Sequence, residues 1–198
     1  MGAKYKRPCE NLMIRQCCMR DGHGSVTIGS EMAGGVINLT VKDCLFINTD
    51  RGLRIKTRRG RGKDAIVDEI LFDNIQMDQV MTPLVINCFY FCDLPVDERT
   101  PQIRSLVFKN IEAKNCPVAG AFFYGLPEKK IQKVVMEHVH ITYDENPQPG
   151  APAMLDGIEP CTKVGIFADN IEELIMHDVK VESQEGEAFI LRNIENMI

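Results

Sequence analysis

Four side chains with useful chemistry sit at suggestive spacings in this sequence. Gly22-His23-Gly24 holds a histidine between two glycines, and Arg54-Ile55-Lys56 sets two cations two residues apart. Tyr90 follows a strand-like run, Leu84-Val85-Ile86. An imidazole exchanges protons near neutrality. An arginine next to a lysine can hold a carboxylate, the first through a bidentate fork and the second as a point charge. Glycines beside the histidine let another chain approach the backbone closely. The set suits a surface that binds an acidic polymer. For His23 alone, the plain structural alternative is a turn histidine satisfied within its own loop.

The surrounding charge agrees with this reading. Arg51, Arg54, Lys56, Arg58, Arg59, Arg61 and Lys63 form an acid-free run in a chain of net charge −5. A concentrated positive patch on an acidic protein points to a specific anionic ligand, with a solvated basic loop as the bland reading. No aromatic interleaves these cations, which argues against nucleic-acid binding.

The elements that must position these residues are set by an internal repeat. An eight-residue template, apolar-x-apolar-x-polar-apolar-x-apolar, fits segments starting at Leu12, Leu39, Ile70, Leu106, Val134 and Leu174. Every apolar slot is filled by an apolar residue, counting Cys17 and Cys44. The polar slot holds Gln16, Asp43, Asn74, Asn110, His138 and Asp178. Alternation with period two on both sides of that slot predicts two short strands hinged at a bend, where Asn and Asp tolerate left-handed backbone. The repeat is too short for βαβ units with full helices. It predicts an all-β, single-stranded, right-handed parallel β-helix of about six coils, forming one domain over 1–198.

The same periodicity assigns register. An offset of 27 carries Val26 to Leu53 and Ile28 to Ile55, and an offset of 31 continues to Leu84 and Ile86. With Leu53 and Ile55 inward, Arg54 and Lys56 face outward together. His23, Arg54, Lys56 and Tyr90 are thus expected on one side of the solenoid within three rungs. The repeat also gives plain roles to other residues. Cys17 and Cys44 fall in an inward slot and are expected to be core hydrophobes. His138 falls in the bend slot and His140 outward, so no metal or other cofactor is expected. Phe89-Tyr90-Phe91 and Phe122-Phe123-Tyr124 read as strand and turn packing. The eight cysteines, with Cys17-Cys18 adjacent and Cys88 and Cys92 separated by three residues, form no pair of zinc knuckles.

The strings Arg20-Asp-Gly-His-Gly-Ser-Val-Thr-Ile-Gly-Ser-Glu-Met and Thr49-Asp-Arg-Gly-Leu-Arg-Ile-Lys-Thr-Arg-Arg-Gly-Arg-Gly resemble two of the four signature motifs of polygalacturonases, bacterial members especially. The resemblance runs from about Arg7 to the end. It implies a pectin-degrading glycoside hydrolase that works by inversion. His23 would support the catalytic acids, Arg54 and Lys56 would bind the galacturonate carboxylate with Gly22 and Gly24 beside them, and Tyr90 would contact substrate. The family's remaining motifs supply three aspartates from earlier coils. This sequence has no Asp-Asp, and its Asn48-Thr49-Asp50 lies after His23, so the catalytic role is not carried onto Asp50.

The resemblance therefore leads to the expectation of a substrate-binding half that lacks the catalytic aspartates. A non-catalytic β-helix that binds acidic polysaccharide is the alternative, and a polysaccharide lyase of the same architecture ranks lower because no acidic calcium cluster accompanies the arginines. Absent N-terminal coils would leave an open sheet edge near Leu12, prone to self-association or to pairing with a separate half. No apolar run is long enough to span a membrane. The family is often secreted. The absence of a signal peptide and eight apparently unpaired cysteines lean the expectation for this chain toward the cytoplasm.

Overall fold

The computed structural model describes residues 2–91 and 94–198; Cys92 lies outside them. After a single helical turn, α1 (Gly2–Tyr5), the chain is built from strands. They are β1 (Cys9–Arg15), β2 (Cys18–Arg20), β3 (Val26–Gly29), β4 (Val36–Ile47), β5 (Arg51–Lys56), β6 (Ile66–Asp78) and β7 (Thr82–Asn87). There follow β8 (Gln102–Ile103), β9 (Ser105–Cys116), β10 (Ala119–Tyr124), β11 (Ile131–Tyr143), β12 (Val164–Glu182) and β13 (Phe189–Met197). The strands pair in parallel along the order β1-β4-β6-β9-β11-β12-β10-β7-β5-β3. The result is a right-handed parallel β-helix. One wall is the β1-β4-β6-β9-β11-β12 ladder, and the other is β3-β5-β7-β10-β12-β13. The long strand β12 turns the corner and belongs to both: Ile166–Asp169 pairs with β10 and β13, and Val134 of β11 faces Leu174.

The repeat is the rung of this solenoid. Leu12 pairs with Leu39, Leu39 with Ile70, Ile70 with Leu106, Leu106 with Val134, and Val134 with Leu174. All six bend residues, Gln16, Asp43, Asn74, Asn110, His138 and Asp178, adopt positive φ between 50° and 55°. A second bend column, Asp21, Asn48, Gln79 and Asn115, does the same and turns the chain into the second wall. Neighbouring rungs are pinned there by side-chain hydrogen bonds, with Asn48 Nδ2 donating to Asp21 Oδ1 and Asn74 Nδ2 to Asp43 Oδ1, both at 2.8 Å.

Inward slots stack into a continuous apolar column. Leu39, Ile70, Leu106, Val134 and Leu174 are all at most 3% exposed, and Phe72, Phe108 and Phe123 form an aromatic run through the centre. Burying each such side chain contributes about 1.5–3 kcal/mol. Phe123 faces this core while Phe122 packs on Phe167 outside it, as the strand reading of that tract requires. Cys44 is buried as expected, but Cys17 is exposed. Its rung has a neighbour on one side only, so its inward slot is not covered; Leu12 is likewise 43% exposed. Burial pushes the Cys88 thiol up to about 12 and raises that of Cys116 as well. His138 bonds Asp178 on the neighbouring rung, and His140 lies between Glu112 and Glu182.

The bends yield a direct expectation. Asn74 sits at φ 55°, which costs a β-branched residue about 1–2 kcal/mol and costs glycine nothing sterically. Asn74→Val should therefore lower the urea-unfolding free energy by at least about that amount. Asn74→Gly, which relieves the backbone but also loses the bond to Asp43, should cost about 0.5–1.5 kcal/mol, less than the valine, which loses that bond as well.

Candidate functional site

The second wall carries the residues singled out by their chemistry. Val26, Leu53 and Leu84 pair in register, as do Ile28, Ile55 and Ile86, and all point into the core. Strand alternation then turns two columns outward. One is Thr27, Arg54, Val85, Phe122 and Phe167; the other is Gly29, Lys56, Asn87, Tyr124 and Asp169. The face is polar and cationic over β3 and β5, then apolar over β7 and β10.

A cleft of about 610 Å³ opens over the cationic part, lined by His23, Gly24, Thr27, Asp50, Arg51, Arg54, Lys56 and Met154. Arg54 is only 7% exposed and donates from Nη1 to the His23 carbonyl at 3.2 Å. Lys56 Nζ stands 5.0 Å from the centre of the Tyr90 ring, which ties that tyrosine to the site from outside the cleft lining. Gly24 leaves room for its neighbours: a Cβ there would lie 2.5 Å from Thr27 Oγ1 and force that side chain to turn, and would touch Arg54 Cδ at 3.6 Å. Gly22 lies outside the lining, and a Cβ on it would meet nothing within 4 Å.

Asp50 was assigned no role from the sequence, and the structure brings it to His23. His23 Nδ1 donates to Asp50 Oδ2 at 2.7 Å, which leaves Nε2 free to act on a ligand. The signal was present in the sequence, because the offset of 27 that joins Val26 to Leu53 also carries His23 onto Asp50. The imidazole is 92% exposed, so the pair orients the ring more than it stabilises the fold.

Most of the basic run is engaged by the fold, with Lys63 left exposed. Arg51 is 5% exposed and donates to the carbonyls of Asp50 and Ala151. Burial, reinforced by Arg54 and opposed by Asp50, pulls its guanidinium down to about 10, and burial lowers that of Arg54 too. Arg59 turns away from the cleft to form a fork with Glu128 at 2.6 and 2.9 Å, and Arg61 reaches Glu31 at 2.9 Å. Among the described residues no carboxylate comes within 4.0 Å of Arg51, Arg54 or Lys56. The cleft therefore holds three cations with no carboxylate in ion-pair contact, and Asp50, engaged by His23, offsets Arg51 and Arg54 only in part. Desolvated charge that is only partly countered is costly, and an entering anion relieves that cost.

The sequence profile of Glycosyl hydrolases family 28 matches residues 4–151. The chain is 32% identical over 141 residues to an endo-polygalacturonase of Pectobacterium carotovorum subsp. carotovorum, covering 71% of this chain and 33% of that protein. It is 30% identical over 154 residues to a polygalacturonase of Prunus persica, covering 74% of this chain and 39% of the other. Of the curated relatives it matches, the chain thus spans little more than a third of the length. Among solved structures, the hyperthermoactive exopolygalacturonase from Thermotoga maritima aligns with TM-score 0.64 at 25% identity, covering 89% of this chain and 36% of that one. The family 28 exopolygalacturonase of Yersinia enterocolitica aligns with TM-score 0.68 at 14% identity, covering 96% and 31%, and supports the fold alone.

The Arg59–Glu128 fork sets the loop that follows β5, and it titrates. Hydrogen bonds from Arg59 hold the Glu128 carboxyl below its ordinary 4.5. The stabilisation is therefore full above pH 4.5 and is lost as pH falls through the lower folded value. Glu128→Gln should cost about 1.5–3 kcal/mol at pH 7 in urea unfolding, with the deficit shrinking progressively below pH 4.5.

Proposed function

The chain belongs to Glycosyl hydrolases family 28, and from that premise we propose that its cleft binds the carboxylate of a galacturonate unit in a pectic chain. The observation that carries this reading is the trio of cations without an ion-pair partner, Arg51, Arg54 and Lys56, gathered in one cleft beside His23. Arg54 supplies a fork held in place by the His23 carbonyl, and Lys56 supplies a point charge supported by Tyr90. His23, oriented by Asp50, presents Nε2 to a sugar hydroxyl or a departing oxygen. The parent activity in this reading is hydrolysis of O-glycosyl bonds in polygalacturonate.

The same cleft argues for a division of labour. Inversion at a sugar carbon uses two carboxyl groups about 6.5–9.5 Å apart, one as acid and one as base toward water. Asp50 is the one carboxylate among the lining residues, and it is engaged by His23. Histidine and cations bind substrate and bias proton transfer, but they do not replace that pair. The role assigned to this chain by itself is binding of acidic oligosaccharide without hydrolysis.

Calorimetry with trigalacturonate tests the binding, and a reducing-end assay on polygalacturonate tests the missing hydrolysis. The expected result is saturable binding that weakens at least about tenfold in Lys56→Ala and in Arg54→Ala, with no reducing ends released. Binding unchanged in both variants would contradict the site, and turnover by the chain alone would contradict the division of labour.

A further inference from the structure

The segment 144–163, between β11 and β12, does not leave the body of the protein. It doubles back over the outward face that carries Arg54 and Lys56. Gly150 and Cys161 close its base as an antiparallel bridge, with backbone hydrogen bonds of 3.1 and 2.9 Å. Arg51 Nη2 donates to the Ala151 carbonyl at 2.5 Å, and Asn87 Nδ2 donates to the Met154 carbonyl at 2.7 Å. Leu155 bridges to Tyr90. Ala153, 1% exposed, packs on Val85 and Phe122, with Leu155 and Ile158 against the same cluster. This strap covers the outward column from Val85 onward and places Met154 in the lining of the cleft.

We infer that the strap is a stop: the uronate over Arg54 and Lys56 is the terminal unit of its chain, seated against Met154. The inference rests on the acidic-sugar reading above and adds where the sugar chain must end. A polymer laid across the rungs from β3 over β5 next meets the strap. To continue over β7 it would have to strip Ala153 from its apolar seat and break the bonds from Arg51 and Asn87. Those two donors are 5% and 1% exposed, so freeing them inside the protein would leave buried polar groups unpaired. Met154 is the wall in this arrangement. Arg51 is a positioning residue, joining the strap to β5 while adding positive potential to the cleft.

Pentagalacturonate can be blocked at either end, by reduction of its reducing terminus to an alditol or by a 4,5-unsaturated non-reducing terminus. Calorimetry would compare both derivatives with the parent oligomer. If the strap is a stop, one of the two derivatives binds at least about tenfold more weakly than the parent. Met154→Gly, a change at a half-buried loop position, should bring that derivative back to within about threefold. Equal affinity for all three ligands would overturn the inference, because an interior unit would then occupy the site. A loss that Met154→Gly does not relieve would overturn the role of the strap. Failure of the unmodified pentamer to bind would instead refute the acidic-sugar reading, and the inference would fall with it.

Discussion

In-register stacking of rungs, turned at columns of single residues with positive φ, is the constraint on which the rest of this structure depends. It fixes which side chains become neighbours although they lie 24 to 42 residues apart in sequence. A slip of one residue in any rung would exchange inward for outward positions and take Arg54 and Lys56 into the core. The bend columns prevent such slips. Asn, Asp, Gln and His accept the left-handed backbone at the bends, and several bond the rung beside them. Fold and site therefore have one cause.

That common cause explains how much could be read from the residues alone. The template gave the rungs, and two constant offsets gave the pairing of β3, β5 and β7, because strand register is a local property repeated in sequence. Asp50 was equally accessible by the offset of 27. Its place in an Asn-Thr-Asp string masks that pairing, because the string resembles a catalytic motif while the side chain faces His23. The basic run was legible only in part. Charge in a sequence carries no direction, and only the structure shows Arg59 turned to Glu128, Arg61 to Glu31, and Arg51 and Arg54 to the cleft. The strap was not legible at all. Its prolines and glycines, Pro147, Pro149, Gly150, Pro152, Gly157 and Pro160, break every period, so its docking on the second wall left no pattern to find.

The electrostatics of the cleft join the structure to its chemistry. Arg51 and Arg54 are nearly buried, repel each other and are offset only in part by Asp50, so the protein maintains a charge arrangement that its own folding does not favour. Strain of this kind accumulates at binding sites because a ligand repays it. Shape agrees with charge. The face is cationic where it is open and apolar where the strap covers it.

NMR of the Arg54 guanidinium, during titration with digalacturonate and then with its methyl ester, tests the central claim most directly. The ester keeps every hydroxyl and removes the charge. A binding site for the uronate carboxylate predicts a saturable shift of the Arg54 side-chain resonances with the acid and at least about tenfold weaker binding of the ester. Equal affinity for acid and ester, or an Arg54 signal that does not move on saturation, would contradict the account.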